Sequence, residues 1–177
     1  NQSRRSFISS AITTIAASDF AMLGFGNETF SGLPSEDVTT EQSKNSSFGT
    51  IRQIDAGVLN IGFAESGPPG GIVIILLHGW PYDIHTYVEV APLLAAKGYR
   101  VIVPYLRGFG STSFLSKDTA RNGQPAAIAS DIIALMDALK IEKAIIGGCD
   151  WGARTANIVA ALWPERTKAI ASVSGYL

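Results

Sequence analysis

Four short apolar runs, Ile72–Leu77, Tyr99–Pro104, Lys143–Gly147 and Lys168–Val173, alternate with helix-like segments along the chain. A strand covered on both faces has no side left for polar residues, so it reads as a continuous run of β-branched and leucine residues. Between the runs lie Pro92–Lys97, with proline in its first turn and Gly98 just past its end, and Ala153–Trp163, stopped by Pro164. Ile128, Ile132, Leu135 and Leu139 fall on one face of a third helix. Each connection is long enough for a right-handed crossover. The expectation is an α/β fold with a mainly parallel sheet and helices on both faces. Ahead of it, Thr50–Ile54 and Val58–Ala64 alternate and are split by Asp55-Ala56-Gly57, which reads as a hairpin.

Composition narrows the function. The chain has 177 residues, 46% apolar and 16% charged, which fits a folded domain. Fourteen basic against fifteen acidic residues leave a net charge of −1, with no basic run, so no nucleic-acid partner is expected. Cys149 is the single cysteine, and His78 and His85 lack partners at ligand spacing, so neither a disulfide nor a metal site is expected.

The opening residues read as an address. Arg4-Arg5 ahead of a mildly apolar stretch resembles a twin-arginine export signal, so residues 1–26 are expected to be a leader and the protein periplasmic or exported. Without that signal it would be cytoplasmic. Asp19 within the stretch argues against a stable membrane span. Residues 27–47 are polar and read as a flexible linker, in which the sequon matches at Asn27 and Asn45 are coincidental. Residues 48–177 are the expected folded part.

Ligands in such sheets bind where strands end. After the third apolar run comes Gly148-Cys149-Asp150-Trp151-Gly152, then a helix. A tight strand-to-helix turn with a nucleophile at its apex admits only small residues two positions before and two after. Asp150 at the apex meets that with Gly148 and Gly152. Cys149 at the apex would put Trp151 in a crowded place, so Cys149 reads as a strand-end residue. A helix-capping aspartate is the plainer alternative for Asp150. A carboxylate nucleophile attacks carbon and forms an ester, chemistry suited to epoxides and halides.

Two further loops follow strands. His78-Gly79-Trp80-Pro81 succeeds the first run; His78, at a buried strand end, reads as a loop-fixing imidazole rather than a base. Arg107-Gly108-Phe109-Gly110 succeeds the second. It lacks the third glycine of a dinucleotide loop, so no cofactor is expected, and Arg107 reads as a structural clamp.

With these motifs in this order, the chain from about Phe48 to Leu177 resembles the α/β-hydrolase superfamily, and within it the epoxide hydrolase branch. The resemblance implies that Asp150 opens an epoxide to a diol through an ester, with small apolar epoxides or halides as substrates. It also implies that the backbone amides of Trp80 and Trp151 form the oxyanion hole. It places the cap tyrosines, the partner acid, the catalytic histidine and the C-terminal strands beyond Leu177. Haloalkane dehalogenases share the Asp-Trp pair and are the alternative, although Trp80 stands where they often carry asparagine. An inactive half-domain is the non-enzymatic alternative. The elbow assignment predicts that Cys149→Ala leaves steady-state turnover of a complete enzyme within about twofold; total loss in a folded variant would return the nucleophile to Cys149.

Overall fold

The computed structural model describes residues 48–175; the expected leader and linker, residues 1–47, lie outside them. Strand β1 (Arg52–Ala56) pairs antiparallel with β2 (Leu59–Ser66) through a turn at Gly57 and Val58. The expected hairpin is therefore present, with a shorter connection. Asp55 and Ala56 continue β1, and Gly57 alone of that trio turns the chain, at φ 59°. Then follow β3 (Val73–Leu77), a 3-10 turn (Ile84–Tyr87), helix α1 (Val90–Ala96), β4 (Arg100–Pro104) and the two-residue β5 (Ser113–Phe114). Helix α2 (Pro125–Ala138), β6 (Ala144–Cys149), α3 (Trp151–Leu162), a second 3-10 turn (Pro164–Arg166) and β7 (Thr167–Val173) complete the order.

The sheet runs β1-β2-β4-β3-β6-β7, with β5 added against β2. The four strands from β4 to β7 are mutually parallel, and β1, β2 and β5 join antiparallel. The sheet is thus mixed, parallel where the apolar runs lie.

Period two explains why those runs are continuous. In β3, Ile75 and Leu77 face one core with Ile102, Ile146 and the α2 and α3 residues Ile132, Leu135, Met136, Ala156 and Val159. Ile74 and Leu76 face the other, with Val101, Val103 and the α1 side of the sheet through Ala91. Full burial of each such side chain contributes about 1.5–3 kcal/mol.

The run at Lys168–Val173 departs from its reading as a buried strand. It forms β7, but those six residues are exposed. Among the described residues β7 pairs only with β6, so its apolar character is met on one flank alone. Helix α3 also begins two residues earlier than its apolar pattern, because Asp150 makes the turn and Trp151 is already helical.

The loop after β4 is tied to α2. The Arg107 guanidinium donates from Nε and Nη2 to the two Asp131 carboxylate oxygens, each at 2.6 Å, and from Nη1 to the Asn122 carbonyl at 2.5 Å. Side-chain exposures of 9% and 7% make this a buried ion pair. Burial raises the Asp131 carboxyl, and Arg107 opposes that. Arg107 is therefore the clamp that its position suggested. Arg107→Met strands the Asp131 charge and is expected to reduce stability by about 3–5 kcal/mol in urea unfolding; a loss within 1 kcal/mol would show the pair to be dispensable.

Candidate active site

Strand β6 delivers the chain to Asp150, whose φ of 54° and ψ of −114° lie where few non-glycine residues go. Holding them there costs on the order of 1–3 kcal/mol, which surrounding contacts must offset. The Asp150 amide donates to the Val173 carbonyl of β7 at 3.0 Å, and its carbonyl accepts from the Arg154 amide at 3.1 Å. The two flanking glycines are required by contact. A Cβ on Gly148 would collide with the Gly152 backbone, and one on Gly152 with the Leu77 carbonyl. The small-residue rule read from the pentapeptide thus has a direct cause.

The loop from β3 lies against this turn. A Cβ on Gly79 would stand 2.7 Å from Asp150 Cβ, so the loop backbone approaches closely. The next amide, Trp80 N–H, donates to Asp150 Oδ1 at 3.0 Å. That bond holds the Asp150 carboxyl below the usual range; burial opposes it, and the Trp151 amide and the Arg154 charge add to it. Arg154 Nη2 stands 3.9 Å from Asp150 Oδ2. The backbone amides of Trp80 and Trp151 thus both act on the Asp150 carboxyl. Gly79 and Arg154 were not singled out from the sequence. Only the i, i+4 spacing of Asp150 and Arg154 on a helix start could have flagged the latter.

Cys149 closes β6 and is half-buried. Near it Tyr87 donates its hydroxyl to the Leu77 carbonyl at 2.9 Å, and burial pushes that phenol up to about 12.

His78 is fully buried. Its Nε2 accepts from the Leu106 amide at 3.2 Å, so the proton sits on Nδ1, which donates to the Gly79 carbonyl at 3.1 Å. Both ring nitrogens are committed, the ring is neutral, and Phe109 packs edge-on at 4.7 Å. This is the loop-fixing role expected of it. His85 lies on the exposed 3-10 turn, where Asp83 Oδ1 accepts from both its amide and its Nδ1 at 2.9 Å. In the loop after β4, Gly108 and Gly110 take φ of 84° and 49°, which turns the chain there.

A cleft of about 360 Å³ opens beside the elbow, lined by Gly79, Trp80, Leu106, Phe109, Ile128 and Trp151 among others. Its walls are mainly apolar and it adjoins the amides that face the carboxylate, an arrangement usual for small-molecule sites. Among the described residues no three His, Cys, Asp or Glu side chains converge as metal ligands, and no helix is long and apolar enough to cross a membrane.

A strained acidic apex between strand and helix, faced by an amide from the loop after the neighbouring strand, defines a hydrolase architecture. The chain belongs to the α/β-hydrolase fold family, whose pattern matches residues 72–176. It is similar to an epoxide hydrolase of Caballeronia sordidicola, 32% identical over 126 residues, covering 71% of this chain and 38% of that protein. A crystal structure from Klebsiella pneumoniae, described as an epoxide hydrolase by inference, superposes with a TM-score of 0.72 at 65% identity, covering 75% of this chain and 44% of the other. A fluoroacetate dehalogenase of a Burkholderia species is 35% identical over 121 residues, covering 68% of this chain and 39% of that protein. The chain thus spans less than half the length of these relatives.

Burial holds the His78 ring below its ordinary pKa of 6.5. The unfolded chain takes up a proton near pH 6.5 where the folded one does not. The stability contributed by the neutral ring is complete above that pH and is lost as pH falls toward the folded value. The melting temperature is expected to decline from about pH 6.5 to pH 5, and His78→Gln to lower Tm at pH 8 but flatten that decline. An unchanged slope in the variant would show that another group titrates.

Proposed function

We propose that this chain is the nucleophile-bearing part of an epoxide hydrolase, acting on small apolar epoxides through an ester on Asp150. The observation that carries this reading is the Trp80 amide bound to Asp150 Oδ1 at the strained apex. With Oδ1 so held, Oδ2 is the oxygen left to attack. A bond forms from Oδ2 to a ring carbon as the carbon–oxygen bond of the epoxide breaks, and the alkoxide takes a proton from an acid or from water. Water then adds to the ester carbonyl carbon; one of its protons leaves on the departing substrate oxygen and the other replaces the proton consumed in ring opening. Negative charge develops on Oδ1, where the amides of Trp80 and Trp151 meet it. Collapse expels the diol and restores the carboxylate, so epoxide plus water gives diol. The cleft lined by Phe109 and Ile128 suits the apolar substituent. His78 cannot serve as the base for water, since both of its nitrogens are engaged.

The Burkholderia relative supports a second reading, in which the same carboxylate displaces halide from carbon. Trp80 in the loop after β3 favours the epoxide reading, as do the Caballeronia and Klebsiella relatives. The paired arginines at Arg4 and Arg5 support export of the enzyme.

With the complete enzyme and an epoxide, mass spectrometry should find the substrate mass added to the peptide carrying Asp150. Asp150→Asn should abolish that adduct and reduce turnover about a thousandfold or more. Diol without halide release from matched substrates is the expected product pattern. An adduct elsewhere, or undiminished trapping in the variant, would refute the assignment.

A further inference from the structure

The two oxygens of Asp150 are held differently. Oδ1 accepts the Trp80 amide at 3.0 Å. Oδ2 faces Arg154 Nη2 at 3.9 Å, beyond hydrogen-bond reach but within ion-pair range. Arg154 comes from the first turns of α3, four residues after Asp150, so the helix itself sets the spacing. Its guanidinium also lies 5.1 Å from the centre of the Trp151 ring, and its side chain is only 24% exposed. A cation resting on an aromatic face is restrained in direction. We infer that Arg154 is a positioning residue for the nucleophile: it keeps the attacking oxygen Oδ2 charged and directed, opposite the amide that fixes Oδ1. This inference rests on Asp150 being the nucleophile.

Two features make the placement suited to that task. At 3.9 Å the cation attracts the charge on Oδ2 without donating a hydrogen bond to it, so the lone pairs of Oδ2 stay available for attack. Among the described residues, no other charged side chain acts on the Asp150 carboxyl. His78, on the loop from β3, is neutral; Tyr87, on the 3-10 turn, retains its proton; β7 offers Asp150 a backbone carbonyl. Arg154 is the charged side chain acting on this carboxylate among the described residues.

The consequence differs between the two half-reactions. Alkylation of Oδ2 removes the charge that Arg154 faces, and hydrolysis restores it. The cation therefore stabilises the free carboxylate at both ends of the cycle relative to the ester between them. Removing the charge should leave the carboxylate protonated at higher pH and let the ester persist longer.

The test uses the complete enzyme with Arg154→Gln and Arg154→Lys, an epoxide substrate, and Asp150→Asn in parallel. In Arg154→Gln the acid limb of kcat/KM is expected to move up by about half a pH unit or more. Its kcat should fall roughly three- to tenfold, with KM within about twofold, and the trapped ester fraction should rise. Arg154→Lys should return the limb most of the way. In the unaltered enzyme, raising the salt concentration should move the limb the same way, a measurement that holds if Arg154→Gln fails to fold. A limb unmoved by the substitution or by salt overturns the inference, as does a change confined to KM, which would place Arg154 on the substrate. If Asp150→Asn still forms ester, the nucleophile reading itself fails; if only the Arg154 results fail, that reading stands.

Discussion

The end of β3 and the start of α3 touch backbone to backbone. The Leu77 carbonyl occupies the space that a side chain at position 152 would need, and the Gly152 backbone occupies the space for one at position 148. This contact decides the rest of the site. It brings the loop at residues 78–81 over Asp150 and sets the Trp80 amide at hydrogen-bond distance from the carboxylate. It also forces the chain at Asp150 into a backbone conformation that no helix or strand would choose. The Tyr87 hydroxyl donates to the same Leu77 carbonyl.

Three anchors keep that geometry from relaxing. His78 ties the loop after β3 to the one after β4 through Leu106, with a neutral ring that donates on one side and accepts on the other. Arg107 ties the second loop to α2 through Asp131. Apolar packing on both faces of β3, β4 and β6 supplies the driving force. The polar anchors add little net energy by comparison, but each would leave a buried group unpaired if broken. Their effect is on where the loops sit.

Much of this was legible in the amino-acid order. The runs at Ile72–Leu77 and Lys143–Gly147 announced buried parallel strands because alternation disappears when both faces are covered. The spacing of Gly148, Asp150 and Gly152 announced the elbow because sterics at such a turn depend on residue size alone. Arg154 was hidden, since an arginine on a helix usually faces water, and its relation to Asp150 depends on side-chain direction. The exposure of β7 was equally hidden: an apolar run records what a strand can bury, while burial depends on which neighbour lies alongside. The β1–β2 turn starts two residues later than its apparent place, with Asp55 and the buried Ala56 forming part of the strand.

The hydrogen bond from the Asp150 amide to the Val173 carbonyl couples the nucleophile to the border of the sheet. Its own backbone tether is to β7, which among the described residues pairs on one side only. Fraying of that border would therefore release the apex amide to solvent before the central strands open. Amide hydrogen exchange at position 150 is in this sense a gauge of how firmly β7 is seated. Whatever pairs with the outer flank of β7 would tune the rigidity of a carboxylate it never touches.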